Sequence, residues 1–130
     1  MSIQTHISFI QVKVTSLREA EHFYDLLFTV IGLTKKENQE SGIIYWGDIN
    51  IMLFEQQQVM AYIDPRYRLG AVHTGIRVGS KDMVDGIYRL MYSHQYRFEW
   101  KPKRFDYTDH YYSTLVFDPD DNKWEFIFDL

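Results

Sequence analysis

The two halves of this chain match each other. Shifting the sequence by 64 residues lays Val12 on Ile76, Val14 on Val78, Ser16 on Ser80, Glu21 on Asp85, Phe23 on Ile87, Tyr24 on Tyr88 and Leu27 on Met91. Similarity at a fixed period means that one supersecondary unit is used twice. In the first copy SFIQVKV, residues 8–14, alternates apolar and polar positions with period two and predicts a strand. Ser16 with Glu19 three positions on makes a capping box. Leu17, Ala20, Phe23, Tyr24 and Leu27 then recur at helical spacing until Gly32 ends the segment. LTKKEN, GIIYW and INIMLFE follow as three short strands.

The stretch QQQVMAYIDPRYRLG, residues 56–70, has no period and holds a proline, a glycine and several charges, so it reads as a connector. The order then restarts. HTGIRVG (73–79) predicts a strand and Ser80 an N-cap. Met83, Val84, Ile87, Leu90 and Met91 form a helical stripe, and YRFEW, YYSTLVF and KWEFIF supply three more strands. The expectation is an α+β fold of two tandem βαβββ modules, at about 5–56 and 72–130 with the connector at 57–71, within one domain of 130 residues. A helix covers one face of each sheet, so two modules predict a curved mixed sheet around a cup with the helices outside. Two ferredoxin-like units would put fewer strands after each helix.

Composition narrows the function classes. At 45% hydrophobic the chain has no apolar run near the roughly 18 residues of a membrane helix, and MSIQTHISF lacks a basic region followed by an apolar block. The expected location is the cytoplasm. Without cysteine there are no disulfides, iron–sulfur clusters, thiol chemistry or Cys-ligated zinc. A net charge of -4 argues against a phosphate-binding surface, so no nucleic-acid partner is expected, nor a membrane. The one basic cluster, Lys101, Lys103 and Arg104 in WKPKRF, reads as a solvated loop broken by Pro102, with an anion clamp as the alternative. Aromatic residues make up 17%, with ten Tyr and nine Phe, which favours an aromatic-lined cavity or an aromatic-rich interface.

Three segments together carry a resemblance: LREAEHFYDLLFTVIGL, HTGIRVGSKDM and FDPDDNKWEF, the last similar to the pattern D-P-D-G-x-x-x-E. With them the chain resembles the vicinal oxygen chelate superfamily, the group of glyoxalases, bleomycin resistance proteins and extradiol dioxygenases. The likeness spans nearly the whole chain and is specific for a fold rather than an activity. In metal-dependent members the ligands come from the first and last strands of each module. Carried over, the resemblance puts two of them on His73 and Glu125. The first-module position falls on Phe9, which the repeat pairs with His73. His6, three residues earlier, would face the other way and sit about 10 Å along the strand. The fourth position falls on Asn50 or Ile51, and Asp121 replaces the family glycine.

A divalent ion acting as a Lewis acid needs three or more protein donors. Two are offered here, so no metal cofactor is favoured. The alternative is a lyase or dioxygenase holding nickel, zinc, manganese or iron through His73, Glu125 and a third ligand such as His6. Without a metal, a buried Glu125 either pairs with a cation, such as protonated His73, or has a raised pKa. It can then bind a polar group, act as a general base, or form only a structural hydrogen bond. Strand alternation puts Ile127 beside Glu125 and sends Trp124, Phe126 and Phe128 to the core, while His73 shares its face with Gly75 and Arg77. Tyr45, Trp46, Met52, Phe54, Trp100, Tyr111 and Tyr112 are candidates for an aromatic wall, about half of them core by the same alternation. His22 and His94 read as solvent-facing and His110 as a loop or strand-end residue. The expected function is a module binding a small, planar molecule through Phe9, His73, Glu125, Asn50, Met52, Tyr45, Trp100 and Tyr111. A third reading makes the aromatic surplus a dimer surface, and the resemblance itself implies a homodimer.

Overall fold

Both helices begin where a serine hydroxyl can take the place of a missing backbone acceptor. Ser16 Oγ accepts from Glu19 N–H at 3.3 Å and Ser80 Oγ from Met83 N–H at 3.1 Å. They are the two serines that the repeat superposes. In the computed structural model, which describes residues 6–38, 42–56 and 72–130, they open α1 (Leu17–Val30) and α2 (Lys81–Ser93). Each helix closes on a left-handed residue, Gly32 at φ 91 and Gln95 at φ 66. The next N–H reaches back five residues, from Leu33 to Phe28 O at 2.8 Å and from Tyr96 to Met91 O at 3.2 Å.

The first copy surrounds α1 with β1 (Phe9–Val14), β2 (Thr34–Asn38), β3 (Gly42–Trp46) and β4 (Asn50–Glu55) in the order β1-β4-β3-β2. The second has β5 (His73–Arg77), β6 (Phe98–Arg104), β7 (Tyr112–Phe117) and β8 (Lys123–Phe128) in the order β5-β8-β7-β6. In each sheet the first and last strands run parallel and the remaining pairs antiparallel. The result is two open four-stranded mixed sheets, the two βαβββ modules read from the repeat. The chain divides into two compact units, Met1–Val59 and Met60–Leu130. The expected connector at 57–71 lies outside the described residues. Among those described, no helix is long and apolar enough to cross a membrane.

Each sheet is apolar toward its helix. Val12 and Val14 of β1, Ile43 of β3, and Ile51 and Leu53 of β4 are buried with Phe23, Leu27 and Phe28 of α1. In the second unit Trp124 and Phe126 of β8 and Val116 of β7 are buried with Val84, Ile87 and Met91 of α2. Tyr45 belongs to this set and not to the aromatic wall. It is 1% exposed, its ring meets Phe28 edge-on at 5.0 Å, and its hydroxyl donates to Asp25 Oδ1 at 2.8 Å. Alternation along β3 sends Tyr45 to the helix and Trp46 away from it. Tyr112 does the same in the second unit, its hydroxyl donating to Asp85 of α2.

The basic cluster differs from its reading as a loop: Lys101, Lys103 and Arg104 lie in β6. Pro102 is tolerated because β6 is an edge strand and its pairing with β7 shifts register between Trp100 and Lys103.

The DPDDN segment joins β7 to β8. Asp118 Oδ1 accepts from the N–H of Asp120 and of Asn122, each at 2.8 Å, while Oδ2 accepts from Asn122 Nδ2 at 2.8 Å. Asn122 Oδ1 in turn accepts from Val72 N–H at 2.9 Å, tying the turn to the start of β5. Asp121 takes the left-handed conformation a glycine would have provided, at φ 67. Because Asp118 is buried, Asp118→Ala leaves several donors without partners and should lower stability by about 2–3 kcal/mol. A drop in the urea midpoint at unchanged slope is the expected readout.

Candidate functional site

On β8, Trp124 and Phe126 fill the helix side, so Glu125 projects from the helix-free face, yet it is only 7% exposed. A carboxylate held there needs partners. Its Oε1 lies 3.0 Å from His73 Nε2 and its Oε2 accepts from the Tyr111 hydroxyl at 2.6 Å. His73 opens β5, which runs parallel to β8 with Gly75 opposite Glu125, so the imidazole reaches the carboxylate diagonally across the ladder. The ring is half exposed. A Cβ on Gly75 would come within 3.1 Å of Ile127 Cδ1, so that position stays open only while it carries no side chain. Tyr111 immediately precedes β7, and its carbonyl accepts from Phe105 N–H at 3.1 Å, which closes the loop between β6 and β7. Burial, followed by the hydrogen bond to Glu125, holds the Tyr111 hydroxyl well above the usual phenol range. Tyr111 therefore stays a donor to the carboxylate at neutral pH.

Three further aromatic rings gather beside Tyr111. Trp100 Nε1 donates to Ser113 Oγ at 3.2 Å, and its ring meets Phe105 at 5.1 Å. Phe105 and Tyr107 are stacked, their centroids 5.3 Å apart and their planes 2° from parallel, and Tyr111 stands edge-on to them at 5.8 and 5.0 Å. Phe105 and Tyr107 escaped the sequence reading because they lie in a loop, where alternation says nothing. The signal was there in RFDYTDHYY, whose aromatics crowd a segment too short to hold a core. Tyr111 and Trp100, both expected on the wall, are part of the cluster.

In the first unit, Phe9 is 54% exposed on the helix-free face and stands opposite Asn50. Gln11 pairs with Met52 as Gly75 pairs with Glu125. The two ladders therefore make Phe9 the counterpart of His73 and Met52 the counterpart of Glu125. This corrects the sequence reading, which put the fourth position at Asn50 or Ile51. Ile51 is core, and Asn50 Oδ1 accepts from Gly47 N–H at 3.4 Å in the turn before β4. His6 precedes β1 and is exposed, as are His22 and His110, while His94 caps α2.

These side chains do not suit a divalent ion. Among the described residues no three His, Cys, Asp or Glu are grouped to hold one. His73 and Glu125 supply one nitrogen and one carboxylate, and both carboxylate oxygens are already engaged. The first-unit counterparts are a phenyl ring and a thioether, which do not serve a hard cation.

A family model described as the Glyoxalase/Bleomycin resistance protein/Dioxygenase superfamily matches residues 4–126. Among solved structures, a candidate glyoxalase from Bacillus halodurans superposes with a TM-score of 0.83 at 19% identity, covering 97% of each chain. Lactoylglutathione lyase from Agrobacterium tumefaciens gives 0.72 at 19% identity, over 98% of this chain and 96% of that one. A glyoxalase/bleomycin resistance protein from Albidiferax ferrireducens gives 0.70 at 20% identity, over 95% and 98%. No curated protein matches the chain significantly.

The tyrosines predict an alkaline limit. Burial, then the hydrogen bond to Asp85, pushes Tyr112 up to about 12, and Tyr45 and Tyr111 are raised as well. The folded chain keeps these protons where an unfolded one loses them, so the stability they confer is complete below about pH 10 and is lost as pH climbs beyond it. Phenolate absorbance should show a late-ionising group of tyrosines in the folded chain that disappears in denaturant. Tyr111→Phe should shrink that group, and the urea midpoint should fall above about pH 10.

Proposed function

The chain belongs to the glyoxalase/bleomycin resistance protein/dioxygenase superfamily, and on that premise we propose that its second unit binds a small, planar organic molecule at the Tyr111–Glu125–His73 group without a metal ion. The observation that carries this reading is the full engagement of the Glu125 carboxylate, with one oxygen facing His73 at 3.0 Å and the other accepting from Tyr111 at 2.6 Å. A carboxylate held this way acts as an anchor for its neighbours. With the His73 Nε2 proton directed at Glu125, Nδ1 is left to accept from a ligand, as in dyads where a carboxylate sets the imidazole tautomer. The Tyr111 ring, fixed through its hydroxyl, joins Trp100, Phe105 and Tyr107 as an apolar surface for a flat molecule. Few polar groups converging beside an aromatic wall is the usual composition of a small-molecule site.

A second reading, a lyase or dioxygenase reaction at a divalent metal, rests on the meeting of His73 with Glu125 at the positions where the superfamily places ligands. The donor count weighs against it. The two readings separate by metal analysis of chain purified without chelators and by titration with nickel, zinc, manganese and iron. The expected result is no stoichiometric ion. A stoichiometric ion that vanishes in His73→Ala or Glu125→Ala overturns the proposal. In thermal-shift screening of flat heteroaromatic and phenolic compounds, hits should lose about tenfold or more in affinity in Tyr111→Phe, which removes the bond holding the ring, and in Glu125→Gln, whose amide can donate to His73 Nε2 and so move the imidazole proton to Nδ1.

A further inference from the structure

Lys103 differs from the cations of the chain that are paired with carboxylates. Lys35 meets Glu21 and Asp25, Lys123 meets Glu99, and Arg97 meets Asp121. Among the described residues Lys103 meets no carboxylate. Its ammonium instead lies 4.7 Å from the Phe105 ring centroid and 5.8 Å from that of Trp100. The ladder explains the placement. Trp100 pairs with Leu115 and Lys103 with Ser113, so the register shift between them brings both side chains to the helix-free face. The Trp100 indole, bonded to Ser113 Oγ, then lies beneath the lysine. Lys101 and Arg104 share the strand, and Arg104 is tied back to the carbonyl of Asp109 in the same loop.

We propose that the molecule bound at this site is a planar aromatic anion, its ring against the Trp100–Phe105–Tyr107 cluster and its negative group on the Lys103 ammonium. This rests on the binding reading given above and adds the chemical class of the ligand. Three observations converge on it. A cationic ligand would need the aromatic faces beside which Lys103 already lies, so it would compete with the chain's own charge. The carboxylate that could have attracted such a cation, Glu125, has both oxygens engaged by His73 and Tyr111. An anion completes an ion pair that the described residues leave open at an exposed ammonium whose neighbours are apolar rings. The net charge of -4 makes the pairing local: the chain as a whole repels anions, and the attraction has to come from the lysine set against these rings.

The test is calorimetric titration of the full chain with three probes of one shape, 1-naphthoate, 1-naphthamide and 1-naphthylmethylammonium. Naphthoate should bind about tenfold or more tighter than naphthamide, with the ammonium weakest, and added salt should weaken naphthoate most. Lys103→Met should bring naphthoate down to the level of naphthamide, and Lys103→Arg should keep the preference. Lys81→Met is the control. It removes an equal charge beside the Tyr112 ring on the helix side and should leave the preference in place. Naphthoate binding no tighter than naphthamide in the unaltered chain, or a preference that survives Lys103→Met, overturns the assignment. In either case the binding reading stands if Tyr111→Phe and Glu125→Gln still weaken naphthamide. Failure of all three probes to bind the unaltered chain overturns both.

Discussion

A four-stranded sheet has two faces, and one helix can seal only one of them. Everything distinctive about this chain follows from that inequality. On the sealed side alternation brings valine, leucine, isoleucine and aromatic side chains into contact with the helix. The other side is free to carry groups a core would exclude. Glu125 sits between Trp124 and Phe126, both fully buried, and escapes their environment only because adjacent strand residues point opposite ways. The same rule takes Tyr45 into the core and leaves its neighbour Trp46 exposed.

Repetition doubles this arrangement without requiring the two helix-free faces to stay alike. The parallel ladders hold the same register in both units, so Phe9 and Met52 occupy the positions of His73 and Glu125. Packing against a helix makes the same demand in both copies, which is why the repeat is visible through Val12 and Ile76 or Leu27 and Met91. On the helix-free faces the copies have parted: hydrogen-bonding groups in one, a phenyl ring and a thioether in the other.

The polar group depends on the two connections that lead into β7 and β8. The DPDDN turn sets where β8 begins and, through Asn122 and Val72, aligns it with β5, so that His73 and Glu125 can meet. The loop between β6 and β7 delivers Tyr111 to the second oxygen of Glu125 and carries Phe105 and Tyr107 beside it. A slip of one residue in either place would turn these side chains to the opposite face. The tight hydrogen bonding of Asp118 is thus as much a condition of the site as any residue in it.

Local periodicity made the two βαβββ modules, both N-cap serines and the strand faces legible in the sequence, because each depends on residues no more than a few positions apart or on the 64-residue repeat, whereas it is the family resemblance that singles out His73 and Glu125. Tertiary structure alone decided what could not be expressed as a period. It brought Tyr111 to Glu125, made the WKPKR run an edge strand, made Met52 rather than Asn50 the counterpart of Glu125, and gathered Phe105, Tyr107 and Lys103 around Trp100. The physical reason is that register shifts and loop closure fix which distant side chains share a face. A register shift such as the one between Trp100 and Lys103 depends on how two strands twist against each other rather than on the letters of either one.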